Sequence, residues 1–186
     1  MQRLSCVMGI AAACWLAACG GVAGTASAGP RTAAPAPPSG ANCGLDDLAP
    51  RAIERLNRLR ASGANCRSAG RFAPAGPLAW NDTLARAAAV HSRDMASHRH
   101  FAHTGSDGRT LRQRIDASGY RWRRIGENIA AGEVGVDAVV DGWMASDVHC
   151  ANIMNPDFSE VGLVCVPARA GDEFPTYWTL DLARPR

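Results

Sequence analysis

The chain has 186 residues, with 20 Lys+Arg against 17 Asp+Glu and a formal charge of +3. A hydrophobic share of 47% supplies a core and excludes whole-chain disorder. The charge is too small, and the arginines too scattered, for a nucleic-acid stripe. No lysine occurs, which excludes a Walker loop, a Schiff base and a Ser–Lys nucleophile pair.

Arg3 and the amino terminus form a small positive region, followed by apolar residues 4–18. That run is too short for a membrane span and reads as a signal peptide. Leu16-Ala17-Ala18-Cys19 resembles a bacterial lipobox, in which the cysteine becomes the lipidated first residue of the mature chain. Ala26-Ser27-Ala28 offers a second cleavage site, which would release an unanchored protein. Residues 19–42 are rich in Gly, Ala and Pro and read as a tether, and residues 43–186 as the domain. Either cleavage sends the protein to an oxidising compartment. Of seven cysteines, Cys6 and Cys14 leave with the signal, and Cys19 is lipidated or, with cleavage after Ala28, also lost. Cys43, Cys66, Cys150 and Cys165 remain for two disulfides. Three pairings are open, and the local one is expected, Cys43–Cys66 with Cys150–Cys165. Each would close a loop of about 15–25 residues, worth about 3 kcal/mol in the chain-entropy picture.

Asp46 or Asp47 caps a first helix, with Leu48, Ala52, Ile53, Leu56 and Leu59 at helical spacing and Gly63 at its end. Residues 64–77 read as a loop. A second helix starts at Asn81 or Asp82, and Leu84, Ala88, His91, Met95 and His98 draw one face. Asp107 is expected to cap a third helix over 109–118, closed by Gly119. Residues 127–131 form a short strand. Val136, Val139, Val140 and Trp143 mark a helix over 134–145. Val161–Val166 and Glu173–Leu182 read as an antiparallel pair. Helices come mostly first and strands last, which predicts an α+β fold. Trp80, Trp143 and Trp178 are expected as core anchors.

The chain has no G-x-S-x-G, H-E-x-x-H or G-x-G-x-x-G. Histidine and carboxylate remain as chemistry. His91 sits on a helix face and reads as structural, His98 and His100 as surface or cap residues. His103 opens a Thr-Gly-Ser-Asp-Gly loop of the kind that presents side chains. His149 stands beside Cys150.

Nine pieces resemble the bacterial branch of the CAP superfamily, the SCP-like extracellular domains, and they follow that family's order over about residues 48–183. They are Leu78-Ala79-Trp80-Asn81, His91-Ser92-Arg93-Asp94-Met95, Phe101-Ala102-His103-Thr104, and Asp107-Gly108 with Arg114. Then come Gly126-Glu127-Asn128-Ile129, Gly142-Trp143-Met144 with Ser146 and His149, Asn152-Ile153, Val161-Gly162 and Tyr177-Trp178-Thr179. The resemblance implies a three-layer α-β-α sandwich with a small antiparallel central sheet. It also implies a cleft lined by two histidines and two acids. By position His103 and His149 are the histidines and Glu127 one acid. The second acid falls at Ser146 here, and Asp147, one step on, stands in for it.

Two imidazoles and a carboxylate are a known zinc set with an open position. His103, Glu127, His149 and Asp147 are therefore the candidate metal ligands, with a divalent ion such as zinc as the cofactor. A His–Glu–His network that only holds loops together is the competing reading. The first functional expectation is a lipid-anchored, monomeric binding module for an envelope or extracellular ligand, with no nucleic-acid partner. The second is a metal-assisted hydrolase with His103, Glu127 and His149 as catalytic candidates. The third is a carrier of a lipid or sterol-like ligand.

Overall fold

The structure, a computed structural model, describes residues 41–186. The expected signal peptide, lipobox with Cys19 and most of the tether lie outside the described residues. Five helices and two sheets make an α+β fold. The helices are α1 (Leu48–Ser62), α2 (Asp82–His98), α3 (Leu111–Ala117), α4 (Val136–Met144) and α5 (Asp147–Met154). A hairpin of β1 (Ala64–Asn65) and β2 (Arg71–Phe72) occupies part of the expected loop. The main sheet has the order β3 (Ala79–Trp80), β5 (Glu160–Pro167), β6 (Thr176–Pro185), β4 (Trp122–Ala131). β5, β6 and β4 are antiparallel neighbours, and the two-residue β3 joins β5 in parallel.

Strand alternation sorts the two faces. Val161, Leu163 and Cys165 of β5, with Trp178, Leu180 and Leu182 of β6, pack against α1, α4 and α5. The opposite face takes α2 and α3, through small and medium side chains such as Ala85, Ala88, Met95 and Val164. The helix α2 lies directly on the sheet because Gly162 has no side chain: a Cβ there would stand 2.1 Å from Ala85 N. Helices on both faces of one sheet make the α-β-α sandwich.

The α2 cap is Asn81, whose side chain accepts from the amides of Thr83 at 2.8 Å and Leu84 at 3.1 Å. The third helix starts later than expected. Thr110 and Gln113 form a capping box, while Asp107 binds Arg109 instead. Trp143 and Trp178 are fully buried and Trp80 partly so. The helix α5 has no counterpart in the sequence reading, because its apolar residues form no clean stripe.

The disulfides are not the local pair. Cys43 joins Cys165, and Cys66 joins Cys150. The physical reason is the path of the chain. Residues 41–42 run beside β5, where Cys165 N–H donates to Ala41 O at 3.1 Å. The β1–β2 hairpin region carries Cys66 onto α5. Each bond therefore closes a long loop, with partners 122 and 84 residues apart.

Candidate functional site

The strand β4 is an edge strand of the main sheet, at the end opposite β3, and its two faces lead to different layers. Glu127 points to the α2–α3 face and Asn128 to the α4–α5 face. Two imidazoles reach this edge from opposite sides, His103 from the loop after α2 and His149 from α5.

Glu127 is almost wholly buried and fully engaged. Its Oε1 is 2.8 Å from His103 Nδ1, and its Oε2 accepts from Arg114 Nη2 at 2.6 Å. Arg114, buried on α3, also donates to the carbonyls of His103 and Arg109, both at 3.0 Å. One guanidinium thus locks the carboxylate and the loop that carries the imidazole. With Nδ1 held by Glu127, His103 directs Nε2 outward. Burial opposes the charge on Glu127. The hydrogen bond from His103 and the charge of Arg114 outweigh it and hold the carboxyl below the usual range.

Behind this pair lie two groups the sequence reading did not assign to the site. His91 is fully buried, 3.9 Å from Glu127 Oε2, and burial pushes its pKa down, so it is neutral. Asp181 stands directly across the β4–β6 ladder from Glu127. Burial, and then the neighbouring Glu127 carboxylate, raise Asp181 well above the ordinary range. Of the two carboxyls, Asp181 is therefore the one that holds a proton more readily. A lone Asp between Leu180 and Leu182, in a strand that is otherwise buried, was the available signal.

The pH dependence follows from the direction of that shift. A raised native pKa gives stability that is complete below the unfolded value, about 3.9 for Asp, and is lost as pH rises toward the native value. Each tenfold difference in proton affinity between folded and unfolded chain is worth about 1.4 kcal/mol. Asp181→Asn keeps the shape of the side chain and removes the titration. Its stability relative to wild type is expected to improve steadily from pH 4 to pH 7 in urea unfolding. Parallel curves would show that Asp181 is ionised in the fold.

On the other face, Asn128 Nδ2 donates to His149 O at 3.1 Å, and Asn152 Nδ2 donates to Asn128 Oδ1 at 2.9 Å and to Glu127 O at 3.3 Å. These amides fix α5 to the strand and so place His149. Burial, and then the nearby His103, lower the His149 pKa, so at neutral pH this imidazole is uncharged. The Cys66–Cys150 bond anchors the next residue.

Asp147 does not join the cleft. It accepts from Ser68 N at 3.1 Å and faces Arg67 at 3.6 Å. Those hydrogen bonds from Ser68 are the main cause of its lowered pKa. Among the described residues no three His, Cys, Asp or Glu side chains are grouped to hold a metal ion. Both Glu127 oxygens have partners already. The candidate set therefore does not fit a three- or four-ligand zinc site, and only the free nitrogens of His103 and His149 remain as donors. Ser106, His98 and Asp94 also cluster, at 2.6–3.1 Å. His98 uses Nδ1 toward both partners, so the group lacks the relay geometry of a nucleophilic triad and serves as a loop strut.

Known proteins match this sequence and this fold. The sequence profile of the cysteine-rich secretory protein family, CAP, matches residues 53–182. The chain belongs to the CAP family. The uncharacterized protein YkwD of Bacillus subtilis is 33% identical over 87 residues, which cover 47% of this chain and 34% of YkwD. An extracellular protein containing a SCP domain from Bacillus anthracis aligns with a TM-score of 0.55 at 25% identity, over 75% of this chain and 43% of that one. An outer surface protein of Borrelia burgdorferi aligns with a TM-score of 0.62 at 19% identity, over 76% and 95% of the two chains. The match to YkwD thus spans about a third of that relative's length. In this CAP domain His103 and Glu127 are hydrogen-bonded to each other, and Ser146 is the residue before α5. No helix of the described residues is long and apolar enough to cross a membrane.

Proposed function

We propose that this CAP domain is an exported binding module, anchored by a lipid on Cys19, that holds its ligand without covalent chemistry in the cleft over β4. The supporting observation is the pair of imidazoles that flank the edge strand β4. His103 is buttressed by Glu127 and Arg114, and His149 is held by its backbone. Among the described residues no hydroxyl or thiol is hydrogen-bonded to either ring, so neither is poised to activate a protein nucleophile. A metal-assisted hydrolase would need ligands that Glu127 and Asp147 do not leave free. The apolar groove beside His149, about 240 Å3, is below the usual range of about 300–1,000 Å3 for small-molecule pockets, which disfavours a sterol carrier.

The test has two arms. Cells given a fatty-acid analogue should label the wild-type chain and not Cys19→Ser. The purified chain, offered a panel of peptide and ester substrates, should show no turnover that His149→Ala abolishes. Turnover lost in that variant, with its unfolding transition unchanged, would replace the binding reading by an enzymatic one.

A further inference from the structure

Beside His149 the cleft continues into the groove between β4, α4 and the aromatic side chains Phe101 and Phe174. Those rings lie 6.1 Å apart, and Phe101 is 48% exposed. The side chains of the cleft described above leave three features of this groove unused.

The first is charge. Glu133 lines the groove, and no arginine does. Among the described residues its carboxylate has neither an ion pair nor a hydrogen bond; only its backbone carbonyl is engaged, by Thr176 and Trp178. The second is a glycine inside a helix. Gly142 weakens α4 by its backbone freedom, yet it also lines the groove. A Cβ there would stand 3.5 Å from Glu133 Oε1. The bare position keeps the carboxylate reachable from the groove.

The third is the strand edge. Gly132 N–H donates to Thr176 O, and antiparallel pairing alternates inward and outward residues. Ile129 and Ala131 therefore turn their backbone groups away from β6. Ile129 O is taken by the Trp143 indole at 3.0 Å. Ala131 keeps both N–H and C=O without a partner among the described residues. One complete pairing position is open at the end of β4.

We propose that the groove binds an extended peptide segment bearing a lysine or arginine side chain, its backbone paired to Ala131 and its cationic end on Glu133. This rests on the binding-module reading and names the ligand class. Each part of such a ligand meets a matching surface. The backbone adds to a sheet edge. The aliphatic stem covers Phe101 and Phe174, whose ring faces also favour a cation. The charged tip forms a charge-assisted hydrogen bond to a carboxylate that lacks one. An anionic ligand would meet Glu133 unscreened.

Two blocked tripeptides test this, Val-Lys-Val and Val-norleucine-Val, which share a stem and differ in charge. Binding is read by calorimetry and by the fluorescence of Trp143 at the groove wall. The lysine peptide should bind about tenfold to a hundredfold more tightly. Glu133→Gln, with an unchanged melting curve, should bring the two affinities together. Gly142→Leu should weaken both by filling the groove. N-methylation of the central peptide amide should weaken the lysine peptide on wild type. Equal affinities on wild type, or a preference that survives Glu133→Gln, would overturn the cation site while leaving the cleft as a binding site. If neither peptide binds, the inference fails, and the broader reading still stands or falls on the labelling and turnover arms above.

Discussion

Arg60→Ala is expected to lower the stability of the domain by about 4 kcal/mol. Arg60 is fully buried at the end of α1 and makes no ion pair among the described residues. Its guanidinium donates to four carbonyls: Gly76 O at 2.7 Å, Ile153 O at 2.6 Å, Asn155 O at 2.9 Å and Phe158 O at 3.0 Å. Ile153 and Asn155 lie at the C-terminal end of α5, where the helix dipole is negative, so the charge is balanced by carbonyl dipoles. Removing the side chain leaves buried acceptors at about 1–3 kcal/mol each, partly relieved by entering water. Burial lowers the Arg60 pKa, but an arginine stays charged at neutral pH. Arg60→Met restores much of the volume and none of the donors, so it should recover little of the loss in urea unfolding. A full recovery by Met would mean that Arg60 acts by packing alone. Because α5 carries His149, the alanine variant should also broaden the His149 ring signals in NMR spectra.

Loss of the Cys66–Cys150 bond should be comparably costly. Closing loops of 122 and 84 residues is worth about 5 kcal/mol each in the chain-entropy picture, and measured losses are usually about 2–5 kcal/mol. We expect about 4 kcal/mol from the double variant Cys66→Ser/Cys150→Ser in urea unfolding. The same protein decides the pairing. Non-reduced fragments of the variant should still link Cys43 to Cys165 by mass. Under a local pairing those two cysteines would instead be free thiols, and the predicted cross-link would be missing. The bond also fixes the turn of α5 that presents His149, so the ligand contact proposed for that imidazole should weaken in the variant.

Much of this architecture was readable along the chain. The α2 cap at Asn81, the Leu84–Ala88–His91–Met95 face and the β5–β6 pair are short-range patterns, set by periodicity and turn chemistry. So was the α4 stripe of Val136, Val139, Val140 and Trp143, all buried. The start of α3 was misplaced because Asp107 and Thr110 both suit a cap, and only the backbone path after Gly108 selects Thr110. α5 went unseen because it is held by groups from elsewhere: a disulfide, the Asn128 and Asn152 amides, and Arg60 under its last turn.

The candidate site divides along the same line. His103, Glu127 and His149 were named from motif positions, but their roles depend on what lies behind them. A carboxylate free at both oxygens could hold a metal; one clamped by His103 and Arg114 orients an imidazole instead. Asp147 looked like a substitute acid from one residue away, yet the first turn of a helix aims neighbouring side chains in different directions, and Ser68 captures it.

By itself the sequence determined the class of fold, the order of its main elements and the four cysteines of the domain, because these follow from local spacing and composition. The tertiary structure decided the disulfide partners, the clamp on Glu127, the raised proton affinity of Asp181, the burial of Arg60 and the open edge beside Glu133. Each of these joins residues far apart in the chain, and their energies depend on burial and on neighbours that only the folded sheet brings together.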